Sequence, residues 1–204
     1  MSDVRPRIAP ALPWASTMVL GPTGGGKSTL VKAMLLAADG EFDQVDVFDP
    51  WCGLSDVADR VGARWHQDDL PAALRQLVKE VKHDPGVRRL VVVEHAELLA
   101  HPEWSGEYAD SWASLLELLN LVEGTSSVVL TTSFWKLDRW LEDFFPARVV
   151  MGDTDWFAVQ AAAVWLPVPE DLAPRRRGQG VAIDLRPASE AFWPIEVTLD
   201  EFAM

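Results

Sequence analysis

The chain has 204 residues, a formal net charge of −13 and 49% hydrophobic residues. That length supports one α/β domain with a full core, and that charge argues against a broadly basic nucleic-acid surface while leaving room for a local basic stripe. No apolar run approaches the roughly 20 residues that span a bilayer, the first residues lack the apolar stretch of a secretory leader, and Cys52 is the only cysteine, which excludes an internal disulfide and a Cys-based zinc site.

A reducing cytoplasm is therefore the expected location. Residues 1–12 read as a flexible N-terminal segment ahead of a single domain. Residues 17–20, Thr-Met-Val-Leu, are a short apolar run of the kind that forms a buried strand. Gly21-Pro22-Thr23-Gly24-Gly25-Gly26-Lys27-Ser28 follows and fits G-x-x-x-x-G-K-S at every position. This is the phosphate-binding P-loop, or Walker A motif. Leu30, Val31, Met34, Leu35 and Ala38 then recur at helical spacing, so the loop joins a strand to a helix start. Glycines let successive N–H groups turn toward one anion, and the helix start adds partial positive charge there. The motif assigns Lys27 to the β- and γ-phosphates of ATP and Ser28 to Mg²⁺, with Thr29 next in the helix's first turn.

Residues 45–48 read as a second strand, closed by Asp49-Pro50. Asp49 has two readings: a contact near the metal or adenine, or the plain end of a strand. Asp69 is a candidate cap for a helix with Pro71 in its first turn and Leu70, Ala73, Leu74, Leu77, Val78 and Val81 on one face. Residues 90–93 are continuously apolar, as in a parallel strand covered on both faces. Ser111 is the expected cap of a helix that Gly124 ends. Residues 128–130 and 149–151 read as further strands, 154–165 as a helix ended by Pro167, 166–180 as a Pro/Arg-rich loop, and 181–199 as two short extended segments. The alternation predicts a mostly parallel central sheet with helices on both faces, and puts the P-loop, Asp49, Glu94 and Ser133 at the strands' carboxyl ends.

The order of motifs resembles that of the FtsK/SpoIIIE and HerA family of motor ATPases, whose fold is RecA-like. The P-loop is close to the family's G-x-T-G-S-G-K-S. Val47-Phe48-Asp49-Pro50 is similar to its I-D-P-K, with Trp51 in place of Lys. The segment Val93-Glu94-His95 stands where the family has h-D-E, and Val129-Leu130-Thr131-Thr132-Ser133 where it has L-x-A-T-Q. Residues 145–150 resemble its P-T-R-I segment, 152–155 the turn after it, and Arg177-Gly178 its late G-R-G. The small type VII secretion ATPase modules look especially similar.

The departures matter as much as the matches. The resemblance implies that Glu94 replaces the Mg²⁺-holding Asp, that His95 replaces the water-orienting Glu, and that Ser133 replaces the Gln that senses the γ-phosphate. Ser28 and Glu94 are thus the implied metal residues. Imidazole is a base near neutral pH but lacks a fixed negative charge. Glu97 reads as a solvated first-turn carboxylate favourable to a helix dipole, or as a substitute for His95 if the helix start is displaced. Arg148 is the implied arginine finger toward a neighbouring subunit's γ-phosphate, or else a structural ion pair. Arg175, Arg176 and Arg177 form the only basic cluster, read as a phosphate or DNA contact or as an exposed loop balancing acidic surface.

These features imply an Mg-ATP-binding P-loop ATPase module, in a homo- or hetero-oligomeric ring that moves DNA or protein, with a weakened or rearranged hydrolysis site. The alternatives are a catalytically degenerate ATP-sensing module whose output is assembly, and a small P-loop kinase with the arginines as a lid. The ten tryptophans are read as core and interface packing.

Overall fold

The structure is a computed structural model, and it describes residues 15–100, 107–122, 126–133, 144–152, 176–184 and 191–196. Eight strands form one sheet in the order β3-β2-β4-β5-β1-β6-β7-β8. The strands are β1 (Thr17–Leu20), β2 (Gln44–Phe48), β3 (Arg64–His66), β4 (Arg89–Val93), β5 (Ser127–Thr132), β6 (Ala147–Met151), β7 (Gln179–Asp184) and β8 (Ala191–Glu196). Pairing is parallel from β3 through β6 and antiparallel from β6 to β8. The expected mostly parallel sheet is what the chain builds.

The period of two along each strand splits the apolar residues between two cores. Met18 and Leu20 of β1, Val91 and Val93 of β4, and Val128 and Leu130 of β5 face one core. There they meet α3 (Leu70–His83) and α5 (Glu107–Leu121) through Leu74, Leu77, Leu115 and Leu118. Val19, Leu90, Val92 and Val129 face the other, against α1 (Lys27–Ala37) and α2 (Ser55–Arg60) through Leu30, Met34, Val57 and Ala58. Both faces of the central strands are covered, which is why 90–93 is apolar without alternation. A one-residue register slip would carry each of these sets to the wrong core.

The elements differ from expectation at three places. The helix expected to be capped by Ser111 begins at Glu107, and Ser111 is fully buried within it, so it does not cap. The short α2 and β3 were not visible in the sequence, whereas the four-residue α4 (Glu97–Ala100) is the helix start that Glu97 implied. Six and three residues are too few to show a period. β3 is held by side chains instead: Arg64 and His66 both reach the buried Asp46 on β2, at 2.8 and 3.0 Å. The expected helix over 154–165 and its Pro167 stop lie outside the described residues, as do residues 1–12, Gly124, and the loop 166–180 up to Arg175.

Candidate nucleotide site

The parallel strands β2, β4, β5, β1 and β6 end along one edge of the sheet. Their next residues are Asp49, Glu94, Ser133, Gly21 and Gly152. Parallel topology alone gathers these sequence-distant positions.

The loop after β1 is a tight cradle. Gly25 N–H donates to the Pro22 carbonyl at 2.9 Å, and a Cβ on Gly25 would come within 3.0 Å of that oxygen. Gly24 and Gly26 have φ of 74° and 103°, which only glycine adopts at low cost. Gly26 is the N-cap of α1, where no side chain accepts from the first turn and no acidic residue stands in it. By contrast, α3 is capped by Asp69, whose carboxylate accepts from Ala72 N–H at 3.1 Å. The start of α1 keeps its donors and its dipole for a ligand.

Lys27 is buried and folds back over the loop. Its Nζ donates to the carbonyls of Gly21 (2.8 Å) and Pro22 (3.2 Å) and to Ser133 Oγ (3.1 Å). Burial lowers its pKa, while Glu97 and Glu94 act to raise it. Ser133 thus meets the P-loop lysine directly.

Glu94 is 2% exposed. One oxygen, Oε2, accepts from Thr131 Oγ1 at 3.0 Å and lies 3.4 Å from Ser28 Oγ. The other, Oε1, is buried without a hydrogen-bond partner among the described residues. Burial pushes the Glu94 carboxyl above the usual range; His95 and Thr131 pull it back only in part. A serine hydroxyl beside a buried carboxylate whose other oxygen is unpartnered fits Mg²⁺, which takes one or two protein oxygens and completes its shell with water and phosphate. No cluster of three or more His, Cys, Asp or Glu ligands occurs among the described residues, so an all-protein metal cage is not the arrangement here. Bound at Ser28 and Glu94, Mg²⁺ would neutralise phosphate charge.

His95 adopts φ of 56°, in the left-handed region, fixed by its N–H to Thr131 Oγ1 at 3.0 Å. Its ring is enclosed. Nδ1 lies 3.3 Å from Glu97 Oε1, Nε2 lies 3.6 Å from Glu94 Oε2, and the Trp51 ring sits 4.0 Å away, centroid to centroid. Burial acts to raise the Glu97 carboxyl, but the His95 contact and nearby backbone donors outweigh it and hold Glu97 below the usual range. Glu97 also accepts from Ser133 N–H at 3.3 Å. Of the two readings of Glu97, the solvated helix-start residue does not hold: the carboxylate stands against His95 and Ser133. Its presence two residues past His95, on the turn leaving β4, was the signal.

Two expected residues fall elsewhere. Asp49 spends both carboxylate oxygens on its own turn, accepting from Trp51 N–H (3.1 Å) and Leu54 N–H (2.7 Å), which fits the strand-end reading. Arg148 is 7% exposed and lies within β6, opposite Met18 of β1 and Ile183 of β7. It is buried inside its own chain, and the finger expectation has no exposed guanidinium behind it. Trp51, where the resembling family has Lys, is 62% exposed beside His95 and so belongs to neither core. Trp65 and Trp112 are partly buried against the two cores, as expected.

No protein-family model matches the chain, and no curated protein matches it by sequence. Solved structures do match by shape. The cytoplasmic domain of the type VII secretion ATPase EccC of Thermomonospora curvata aligns over 90% of this chain, with 14% identity and a TM-score of 0.62. The pCW3 conjugation coupling protein TcpA, solved with ATPγS, aligns over 91% with 14% identity and a TM-score of 0.68. The genome packaging NTPase B204 of Sulfolobus turreted icosahedral virus 2, in complex with AMPPCP, aligns over 92% with 10% identity and a TM-score of 0.58. The chain spans 24% of the EccC chain and 61% of the TcpA chain, but 100% of the B204 chain. The resemblance read from motif order is therefore matched in three dimensions: the chain has the RecA-like P-loop NTPase fold shared by FtsK/HerA-type ATPases.

Proposed function

We propose that this chain is an Mg-ATP-binding module of the motor-ATPase type, acting in an oligomeric ring, with a rebuilt hydrolysis site that turns ATP over slowly. The observation that carries the binding half is the cradle: an uncapped helix start behind three glycines, with Lys27 buried over it and Ser28 set against Glu94. Nothing in ordinary folding requires a buried lysine at an unclaimed helix N-terminus, and a polyphosphate suits both. Nucleotide analogues in the TcpA and B204 structures support the same ligand.

Slow turnover rests on His95. A residue that orients attacking water needs a free acceptor aimed at the γ-phosphate side. Nδ1 is partnered by Glu97 at 3.3 Å, and Nε2 lies 3.6 Å from Glu94 Oε2, too long for a hydrogen bond but close enough to crowd the approach of water. That favours a second reading, in which ATP binding drives assembly and hydrolysis is vestigial. A cytoplasmic setting suits either; among the described residues no helix is long and apolar enough to cross a membrane.

Sedimentation with and without Mg-ATP, run beside steady-state hydrolysis with and without double-stranded DNA, tests the proposal. The motor reading expects nucleotide-dependent assembly and low turnover that DNA raises. Assembly with no turnover at all leaves the sensor. A chain that neither binds ATP nor assembles contradicts both.

A further inference from the structure

The three consecutive arginines do not share one environment. Arg175 lies outside the described residues. Arg176 pairs with Glu196 on β8, its charge spent within the hairpin. Arg177 is exposed and makes no hydrogen bond or ion pair among the described residues, yet its Nη1 stands 3.6 Å from where a Cβ on Gly24 would be. That glycine is at the crest of the P-loop.

The turn that carries Arg177 is fixed to the cradle by backbone. Gly178 N–H donates to the Gly25 carbonyl at 3.1 Å, and Gly178 has φ of 84°. Gln179 N–H closes the turn on the Arg176 carbonyl, and the Gln179 carbonyl accepts from Gly152 N–H at 3.1 Å. Gly180 is pressed against β6, where a Cβ would meet the Val150 carbonyl at 2.8 Å. Gly21, at the other side of the same strand end, would meet the Met151 carbonyl at 2.9 Å. The P-loop, the end of β6 and the arginine turn are thus locked into one unit, and the guanidinium stands over the cradle from a rigid base.

From this we infer that Arg177 is a phosphate contact supplied by the chain itself, closing over the polyphosphate of the nucleotide held by the P-loop. A guanidinium presents paired donors that match phosphate oxygens, and an unpaired one beside a cradle of N–H groups is placed for a polyanion. Its role is to add affinity for the phosphate tail and to couple the β7–β8 hairpin to nucleotide occupancy. This rests on the nucleotide-binding reading above.

The test is calorimetric titration of ATPγS with Mg²⁺ into the full chain and into Arg177→Ala, Arg177→Lys, Arg176→Ala and Lys27→Ala, each checked for unchanged folding by circular dichroism. The inference expects Arg177→Ala to weaken binding about tenfold or more, Arg177→Lys to recover part of it, and Arg176→Ala to match the native chain. Native binding that Arg177→Ala leaves intact overturns this inference and spares the nucleotide-binding reading. Equal losses in Arg176→Ala and Arg177→Ala also overturn it, since they mark a general surface-charge effect. A native chain that does not bind ATPγS, or binds it as well after Lys27→Ala, overturns the reading itself and this inference with it.

Discussion

The phosphate cradle and the hydrolysis corner share one edge of the sheet but are built in opposite ways. In the cradle, the backbone is left open, with glycines at positive φ and a helix start without a cap, and only Lys27 must give up neutral partners, the Gly21 and Pro22 carbonyls and Ser133 Oγ, to meet a ligand. In the corner, groups are committed to one another: Glu94 to Thr131, His95 to Glu97, Glu97 to the Ser133 backbone. An open set of donors can accept a ligand without first losing a partner, whereas a closed network must be taken apart before it can act. On the proposed reading, binding and turnover rest on separate groups of this chain, and each can be perturbed alone.

The largest expected effect breaks the cradle. Lys27→Ala removes a charged donor from the phosphates, which at about 1.5–3 kcal/mol corresponds to a loss of roughly 10- to 100-fold in ATP affinity. Isothermal titration reads it, and an unchanged Kd would deny the cradle its function.

Glu94→Gln comes next and separates stability from function. The folded-state pKa of Glu94 is raised by burial, so the nucleotide-free fold is penalised once pH exceeds the ordinary carboxylate value and the group is asked to ionise. The neutral isostere escapes that penalty. It is expected to raise the Tm of the nucleotide-free protein at neutral pH by roughly 2–4 °C per kcal/mol relieved, while ending the Mg²⁺ dependence of ATP binding. A lowered Tm would show that the carboxylate is a structural partner and not an open metal ligand.

A smaller effect, remote from both regions, sharpens the comparison. Burial acts to raise the Asp46 carboxyl, but hydrogen bonds from His66, Arg64 and Gln44 outweigh it and hold it below the usual range. Stability from a depressed carboxylate is present above its unfolded pKa and is lost as pH falls through the folded one. Asp46→Asn is therefore expected to cost about 1–3 kcal/mol at neutral pH and to flatten the acid limb of the Tm profile, with ATP affinity unchanged. A parallel loss of affinity would tie this distant edge to the site.

Much of this was legible in the sequence because it depends on local pattern. The glycine run, Asp69 before Pro71, and the apolar run 90–93 each fix an element by nearest neighbours alone. The fold class also followed, since strand–helix alternation implies a mostly parallel sheet, but the strand order and the antiparallel pairing of β6, β7 and β8 did not. What the sequence hid depends on contacts between distant segments. Glu97 joins the site only because the turn after β4 folds back on Thr131 and Ser133. Arg177 shared with Arg175 and Arg176 the two readings of phosphate contact and exposed loop until the sheet set β7 beside β6 and the turn against Gly25. Arg148 looked available because motif position says nothing about burial.

The central claim is that the cradle is competent and the corner limits turnover. It is tested most directly by His95→Glu, with ATP affinity and steady-state hydrolysis measured on the same preparation. The account predicts a Kd within about threefold of the native chain and turnover raised about tenfold or more, since a carboxylate restores fixed charge where water must be oriented. Native turnover that is already fast, and that His95→Glu lowers, would contradict it and make His95 the working base.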